Sequence, residues 1–392
     1  MPTSIVSPRL LLIGGGVARE IASVMKKFAL ARPLIVTDPF MVSSGLVRRA
    51  LDALEEAGIP FTVFSDTVPE PIDTVVETGV KLLQAEKFDC LIGFGGGSPI
   101  DTAKAMAILF AGGGQMRDYK VPAQVDFPAL PIIAIPTTAG TGSETTRFTV
   151  ITDTKHDEKM LIAGLAALPL AALVDYELSF TVPPRTTADT GIDALTHALE
   201  AYVSRRANPY SDAQALAALR LIGANLRTAY REPKNAHARE AMMLGATLAG
   251  LAFGNSSVAL VHGMSRPIGA HFHVPHGLSN AMLLPTITRY SLPAAVARYA
   301  EAARAVGFAA AGDPDEVAAD KLAEGLAQLN RELAVPSPAE YGIDPRVWEE
   351  RLPLMAEQAL ASGSPANNPR VPDAAEIITL YRMVWASSRN QS

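Results

Sequence analysis

Asp193 and His197 stand four residues apart in the run G-I-D-A-L-T-H-A-L-E-A-Y, Gly191 to Tyr202. The run reads as a helix, and side chains at i and i+4 share one helical face. A carboxylate and an imidazole would therefore project side by side, which is a metal-ligand spacing. Further along, V-H-G-M-S-R-P-I-G-A-H-F-H-V-P-H-G (Val261 to Gly277) holds four of the chain's seven histidines: His262, His271, His273 and His276. If His262 and His276 converge on the first pair, the set is one Asp and three His, suited to a divalent transition metal.

A second chemistry is written in the first half. Asp89 to Phe94 reads as a strand, and Gly95-Gly96-Gly97-Ser98-Pro99 leads from it into a helix from Ile100 to Leu109. Glycines let a backbone approach a ligand closely, and the N–H groups that open a helix favour an anion. The loop suits a pyrophosphate; lacking G-K-[ST], it is not a triphosphate-hydrolysing loop. Asp101, in the expected first helical turn, would either complement the helix dipole or stand near the substrate. Another strand, Pro131 to Ile135, precedes P-T-T-A-G-T-G-S-E-T-T-R-F-T-V-I-T (Pro136 to Thr152), whose hydroxyls are donors for ribose and phosphate. Lys159 follows and, taken alone, reads as a solvated lysine. Asp38 ends the strand Pro33 to Thr37; an acid there accepts hydrogen bonds from adenosine ribose hydroxyls and repels a 2′-phosphate, or simply starts the turn D-P-F. The earlier triplet Gly14-Gly15-Gly16 is a weaker signal, because Arg19 holds the third glycine's place in G-x-G-x-x-G.

The elements that must position these groups change character along the chain. Strands at Arg9 to Ile13, Pro33 to Thr37 and Phe61 to Phe64 alternate with helical patterns at Val17 to Phe28 and Leu46 to Ala57, which implies a parallel, helix-covered sheet. From Val182-Pro183-Pro184 onward helix follows helix: 185–204, 211–230, 236–253, 293–306, 314–332 and 374–385, with Asp313 the expected cap of the fifth. The expected division is an α/β domain over residues 1–182 and an all-helical domain over 183–392, with a cofactor cleft between them. With 392 residues, 48% hydrophobic and 19% charged, the chain is globular. A net charge of −6 without a Lys/Arg cluster disfavours a nucleic-acid partner. The single cysteine, Cys90, reads as a buried strand residue, the N-terminal stretch has no secretory pattern, and the longest apolar run, Met160 to Val174, is too short to span a bilayer. A cytoplasmic protein without a membrane partner is expected.

Four stretches in order, G-G-G-S-P-I-D, P-T-T-A-G-T-G-S-E, G-I-D-A-L-T-H-A-L-E-A-Y and V-H-G-M…P-H-G, resemble the iron-containing (group III) alcohol dehydrogenase family over nearly the whole chain. The resemblance implies a Rossmann-like N-terminal domain and an all-α C-terminal domain, the dehydroquinate synthase-like architecture. It implies a metal, Fe2+ with Zn2+ as the alternative, on Asp193, His197, His262 and His276. It further implies NAD, with Gly96, Gly97 and Ser98 on the pyrophosphate, Thr137, Thr138, Thr146, Phe148 and Lys159 on the ribose and nicotinamide, and Asp38 on the adenosine ribose. Phe148, Phe253 and Val258 fall where the family shapes its substrate pocket, and a homodimer or larger homo-oligomer is expected. The pattern departs at Arg266, where the family commonly has a histidine. A guanidinium is no base at neutral pH, so any proton relay would use water, a ribose hydroxyl, His271 or His273, and Arg266 would instead pair with an anionic substrate group. The implied activity is NAD(H)-linked interconversion of a small alcohol and its carbonyl compound. A lyase of the dehydroquinate synthase kind, a metal-free reductase and a nucleotide-binding regulator are the rival readings.

Overall fold

A computed structural model describes residues 3–386; the outermost residues of both expected domains, 1–2 and 387–392, lie outside them. The chain divides into two compact units, one of Val6–Thr181 and a helical one that runs from Val182 and also takes in the described N-terminal residues up to Ile5.

The first unit runs β1 (Leu10–Ile13), α1 (Ile21–Lys27), β2 (Pro33–Val36), α2 (Pro39–Ser43), α3 (Arg48–Glu56), β3 (Thr62–Phe64), α4 (Asp73–Ala85), β4 (Cys90–Gly95), α5 (Gly97–Gly112), β5 (Ile132–Pro136), β6 (Phe148–Asp153), β7 (Glu158–Ala163) and β8 (Ala171–Val174). Six strands form one sheet in the order β1-β8-β5-β4-β2-β3, every pairing parallel. Its strands are apolar because both faces are covered. Alternate residues serve opposite faces: Leu34, Val36, Leu91 and Ile132 pack with the α4 and α5 side, and Ile35, Ile92, Ile133 and Leu173 with the α1 and α3 side. Cys90 is buried in β4, as expected.

From β2 the chain proceeds outward to β3, whereas from β4 it proceeds inward to β5 and β8. The neighbours β2 and β4 therefore flank a topological switch point, and ligands of such sheets bind at the carboxyl ends of the strands there. Asp38 and the Gly95–Ser98 loop follow those two ends. The end of the hydroxyl-rich run is a strand: β6 pairs antiparallel with β7 from Phe148↔Ala163 to Asp153↔Glu158.

The helical unit comprises α6 (Pro184–Val203), α7 (Pro209–Arg231), α8 (Ala236–Gly254), α9 (Leu260–Phe272), α10 (His276–Ser291), α11 (Val296–Val306), α12 (Asp315–Glu332), α13 (Pro345–Ala361) and α14 (Ala374–Ala386). The fifth expected helix starts one residue later than read. Pro314 caps α12, while Asp313 accepts from the Ala310 amide and from Lys321. At the centre α6 is buried around nearly its whole circumference from Thr187 to Val203, against α7, α8 and α10, as befits a helix with apolar residues on every side.

Candidate active site

Buried α6 carries three chemically active side chains on one face: Asp193, His197 and Glu200, at i, i+4 and i+7. His262 arrives from the first turn of α9 and His276 from the first residue of α10. Gly277 lets α10 begin that close, since a Cβ there would lie 2.4 Å from the Asp189 carbonyl oxygen. The result is convergence. Asp193 Oδ1 lies 3.8 Å from His197 Nδ1, 3.5 Å from His262 Nε2 and 3.7 Å from His276 Nε2, and one ligand atom from each residue falls within 4.8 Å of all the others. Donors about 2.0–2.1 Å from one tetrahedral ion stand roughly 3.4 Å from each other, so the set fits a metal.

The electrostatics agree. Burial opposes the charge of Asp193, but the imidazoles of His197, His276 and His262 outweigh it and hold its carboxyl below the usual range. Burial also opposes an imidazolium at His262, and the carboxylates of Glu200 and Asp193 overcome it, raising that pKa. Positive charge is favoured at this point, as protons or as a cation. One wall is Phe253, whose ring stacks on His197 at 4.2 Å, and His197 in turn stacks on His262 at 4.4 Å. His276 is 37% exposed whereas the other three ligands are at 6% or less, so the set opens on one side.

Two residues not singled out from sequence complete the centre. Glu200 Oε2 accepts from His262 Nδ1 at 2.6 Å. Asn280 Nδ2 donates to Asp193 Oδ1 at 2.7 Å and lies within 3.3 Å of His262 Nε2 and His276 Nε2. Both had a legible signal: Glu200 follows His197 by three residues, and Asn280 follows His276 by four.

In the α/β unit the second glycine loop opens α5 three residues earlier than expected, with Gly96 as cap and Gly97 first in the helix. Asp101 thus lies beyond the first turn. Its carboxylate accepts from Ser143 Oγ and the Val150 amide, which makes it a bracket for the β5–β6 segment. Lys104, one turn on, is fully buried; its Nζ donates to the carbonyls of Thr146 at 3.0 Å and Phe148 at 2.7 Å. Burial, partly offset by Asp101 and Glu144, pulls its pKa down to about 8. Thr138 lies beside Gly96, and the Thr137 amide donates to the Gly95 carbonyl. Lys159 is not solvated: it pairs with Glu70 at 2.8 Å, and the Glu70 amide donates to Ser98 Oγ. The first glycine turn is otherwise engaged, because the Asp175 carboxylate takes the amides of Gly16 and Ala18.

Comparison with known proteins decides the affiliation. Residues 8–176 match the family model described as iron-containing alcohol dehydrogenase, and residues 187–385 match that of the Fe-containing alcohol dehydrogenase family, C-terminal. The chain belongs to this family. It is 37% identical over 381 residues to the NAD-dependent methanol dehydrogenase of Bacillus methanolicus, covering 97% of this chain and 99% of that one. Among solved structures it is similar to a 1,3-propanediol oxidoreductase (35% identity, TM-score 0.93, 98% and 100% of the two chains). It is also similar to the sulfoacetaldehyde reductase of Bifidobacterium kashiwanohense in complex with NAD+ (30% identity, TM-score 0.88, 99% of this chain and 100% of that one). The enzyme class follows: the protein is an oxidoreductase.

Against that affiliation, the departures from the family pattern take definite places. Arg266 follows His262 by one turn of α9; its guanidinium donates to Ser364 Oγ at 3.1 Å and forms no ion pair among the described residues. His271 and His273 are not brought to the metal ligands. His271 Nε2 faces Gln358 Oε1 at 2.8 Å, and His273 is the exposed left-handed cap of α9, its carbonyl accepting from Tyr341. Nine residues of helix set His271 about 13 Å along the axis from His262. Val258, half-buried before α9, accepts from Asn367 through its carbonyl.

Asp38 takes one of its two expected roles, the turn cap, and its second oxygen stands beside the glycine loop. Oδ1 caps α2 by accepting from the Met41 amide at 2.9 Å, while Oδ2 lies 3.4 Å from where a Cβ on Gly95 would stand, at the switch point. Asp38→Gly is expected to shift the NADP-to-NAD ratio of kcat/KM upward by about ten- to a hundredfold, since like charges in contact cost several kcal/mol. Steady-state kinetics with both cofactors checks this, and an unchanged ratio would remove Asp38 from the ribose.

Proposed function

We propose that the protein is a metal-dependent, NAD(H)-linked reductase of a small aldehyde that carries an anionic group, also acting in reverse on the corresponding alcohol. The observation that carries the catalytic part is the convergence of Asp193, His197, His262 and His276 on a single point. When bound there, Fe2+ or Zn2+ supplies Lewis-acid polarisation of a substrate oxygen, and the nicotinamide supplies the hydride. The chain's own residues do the rest. Asp193 contributes the one negative charge of the ligand set, and Phe253 covers His197 with an apolar ring that keeps water off that side. The side beside His276 stays open for substrate. Lys104 fixes the backbone of Thr146 and Phe148, which with Gly96, Gly97, Ser98, Thr137, Thr138 and Lys159 are the residues we assign to the cofactor.

The anionic preference rests on Arg266. Of its five N–H donors, one is used by Ser364, and none meets a carboxylate. Burial lowers its pKa, with the charge of Glu200 opposing, so the guanidinium is poorly solvated and gains from an anionic partner. Similarity to a sulfoacetaldehyde reductase supports the same substrate class. Arg266→His is expected to cut kcat/KM for a sulfonate- or carboxylate-bearing aldehyde by about 10- to 100-fold, the worth of hydrogen bonds to a charged group, while neutral aldehydes change little. An unchanged ranking across an aldehyde panel with NADH would sink the anionic assignment. Wild-type protein that binds metal but oxidises no NADH on any carbonyl would sink the whole reading. No helix among the described residues is long and apolar enough to cross a membrane; the cytoplasmic homo-oligomer expected of the family is tested by light scattering and fractionation.

A further inference from the structure

Glu200 is 3% exposed, and its carboxylate makes three short contacts that all end on the start of α9. Oε2 accepts from His262 Nδ1 at 2.6 Å and from the Ala259 amide at 2.9 Å, and Oε1 accepts from the Val261 amide at 2.6 Å. Ala259, the residue that caps α9, provides no side-chain cap. A glutamate from another helix therefore supplies what the sequence of α9 lacks.

We infer that Glu200 is the positioning residue of the metal centre: by accepting the Nδ1 proton of His262 it fixes the tautomer that presents Nε2 as a ligand, and by clamping the α9 amides it fixes where that nitrogen stands. The two roles act on one atom. A neutral imidazole has one N–H and one lone pair, so an Nδ1–H held by a carboxylate leaves the lone pair on Nε2. That nitrogen is the one 3.5 Å from Asp193 Oδ1. The acceptor is anionic as well as well placed, and a carboxylate behind a ligating imidazole raises its basicity toward the ion. Buried without a partner, such a carboxylate would be costly; here three donors satisfy it, and the Arg266 guanidinium lies within reach of its charge. Asp193, His197 and Glu200 then form one functional face of α6, two ligands and the holder of a third.

The inference rests on the metal reading above and is tested separately from it. Metal affinity of the apoprotein is measured with Zn2+ and Co2+ against a competing chelator, for wild type, Glu200→Gln, His262→Ala and the double variant. Glu200→Gln is expected to weaken binding by about 10- to 100-fold and to change the visible spectrum of the Co2+-saturated protein. In the His262→Ala background the same change is expected to have no further effect on affinity, because the residue acts through that imidazole. Equal losses in both backgrounds, or an unchanged affinity in Glu200→Gln, would overturn the inference. Wild type that binds neither ion would instead fail the metal reading. Should Glu200→Gln not fold, nitrogen-15 NMR of Zn2+-loaded wild type decides: a protected Nδ1–H with zinc on Nε2 of His262 is expected, and zinc on Nδ1 would overturn it.

Discussion

Asp193→Asn is expected to give a folded protein that has lost its metal and with it essentially all turnover. The substitution keeps shape and the neighbour Asn280, but removes the only negative charge among the four ligands, at 2% exposure. Breaking a buried charge pairing costs about 3–5 kcal/mol, so affinity for Fe2+ or Zn2+ is expected to fall by about two to four powers of ten. Chelation of wild type should reproduce the loss. Adding the ion back should restore wild type and leave the variant inactive. Metal content by elemental analysis, paired with NADH oxidation, checks both halves. A variant that turns over at wild-type rates without bound metal would remove the ligand set from the chemistry.

The second large effect lies in the other unit. Lys104→Met preserves length and apolar bulk but deletes the ammonium that satisfies the Thr146 and Phe148 carbonyls. Removing the donor from the buried Thr146 carbonyl and from the half-buried Phe148 carbonyl predicts a loss of about 1–3 kcal/mol, partly offset because the lysine no longer has to be buried charged. A weaker grip on NAD is expected too, since those two residues are assigned to it. The pH dependence separates the contributions. In the folded protein Lys104 titrates near 8, below the 10.5 of an ordinary lysine. Between those values the unfolded chain binds the extra proton, so the stability contributed by this group rises with pH across that window. Urea denaturation at pH 7.5 and 9.5 should show that rise in wild type and lack it in Lys104→Met. Equal pH dependence in the two proteins would mean that Lys104 keeps its proton.

How much of this was legible in the chain depends on where the signal lies. The convergent quartet was readable because two clusters carried it locally, and Asp193 and His197 do share one face of α6. The helices α9 and α10 that present His262 and His276 were not readable as helices: both contain an internal proline, Pro267 and Pro285, and α9 is interrupted by glycines. The parallel sheet was read from its β-branched strands, whereas the β6–β7 hairpin was hidden by a threonine-rich run that also suits a loop. Single side chains misled most. Asp101 and Lys104, the second not singled out from sequence at all, belong to a network whose partners lie more than forty residues away, and no local pattern encodes such a distance. His271 and His273, prominent in sequence beside His262 and His276, are spent on Gln358 and on a helix cap.

The unequal exposure of the four ligands separates holding an ion from exchanging it. Asp193, His197 and His262 are sealed by neighbouring helices and by one another, so their release would require the core of the helical unit to open. His276 sits at a helix start with over a third of its side chain in solvent. An ion held by this set would meet solvent beside a single imidazole, while its affinity would be spread over all four. Donors of this mixed nitrogen and oxygen kind discriminate poorly among first-row divalent ions. Which ion such a site would carry would then depend as much on the supply at that one accessible edge as on the donors themselves.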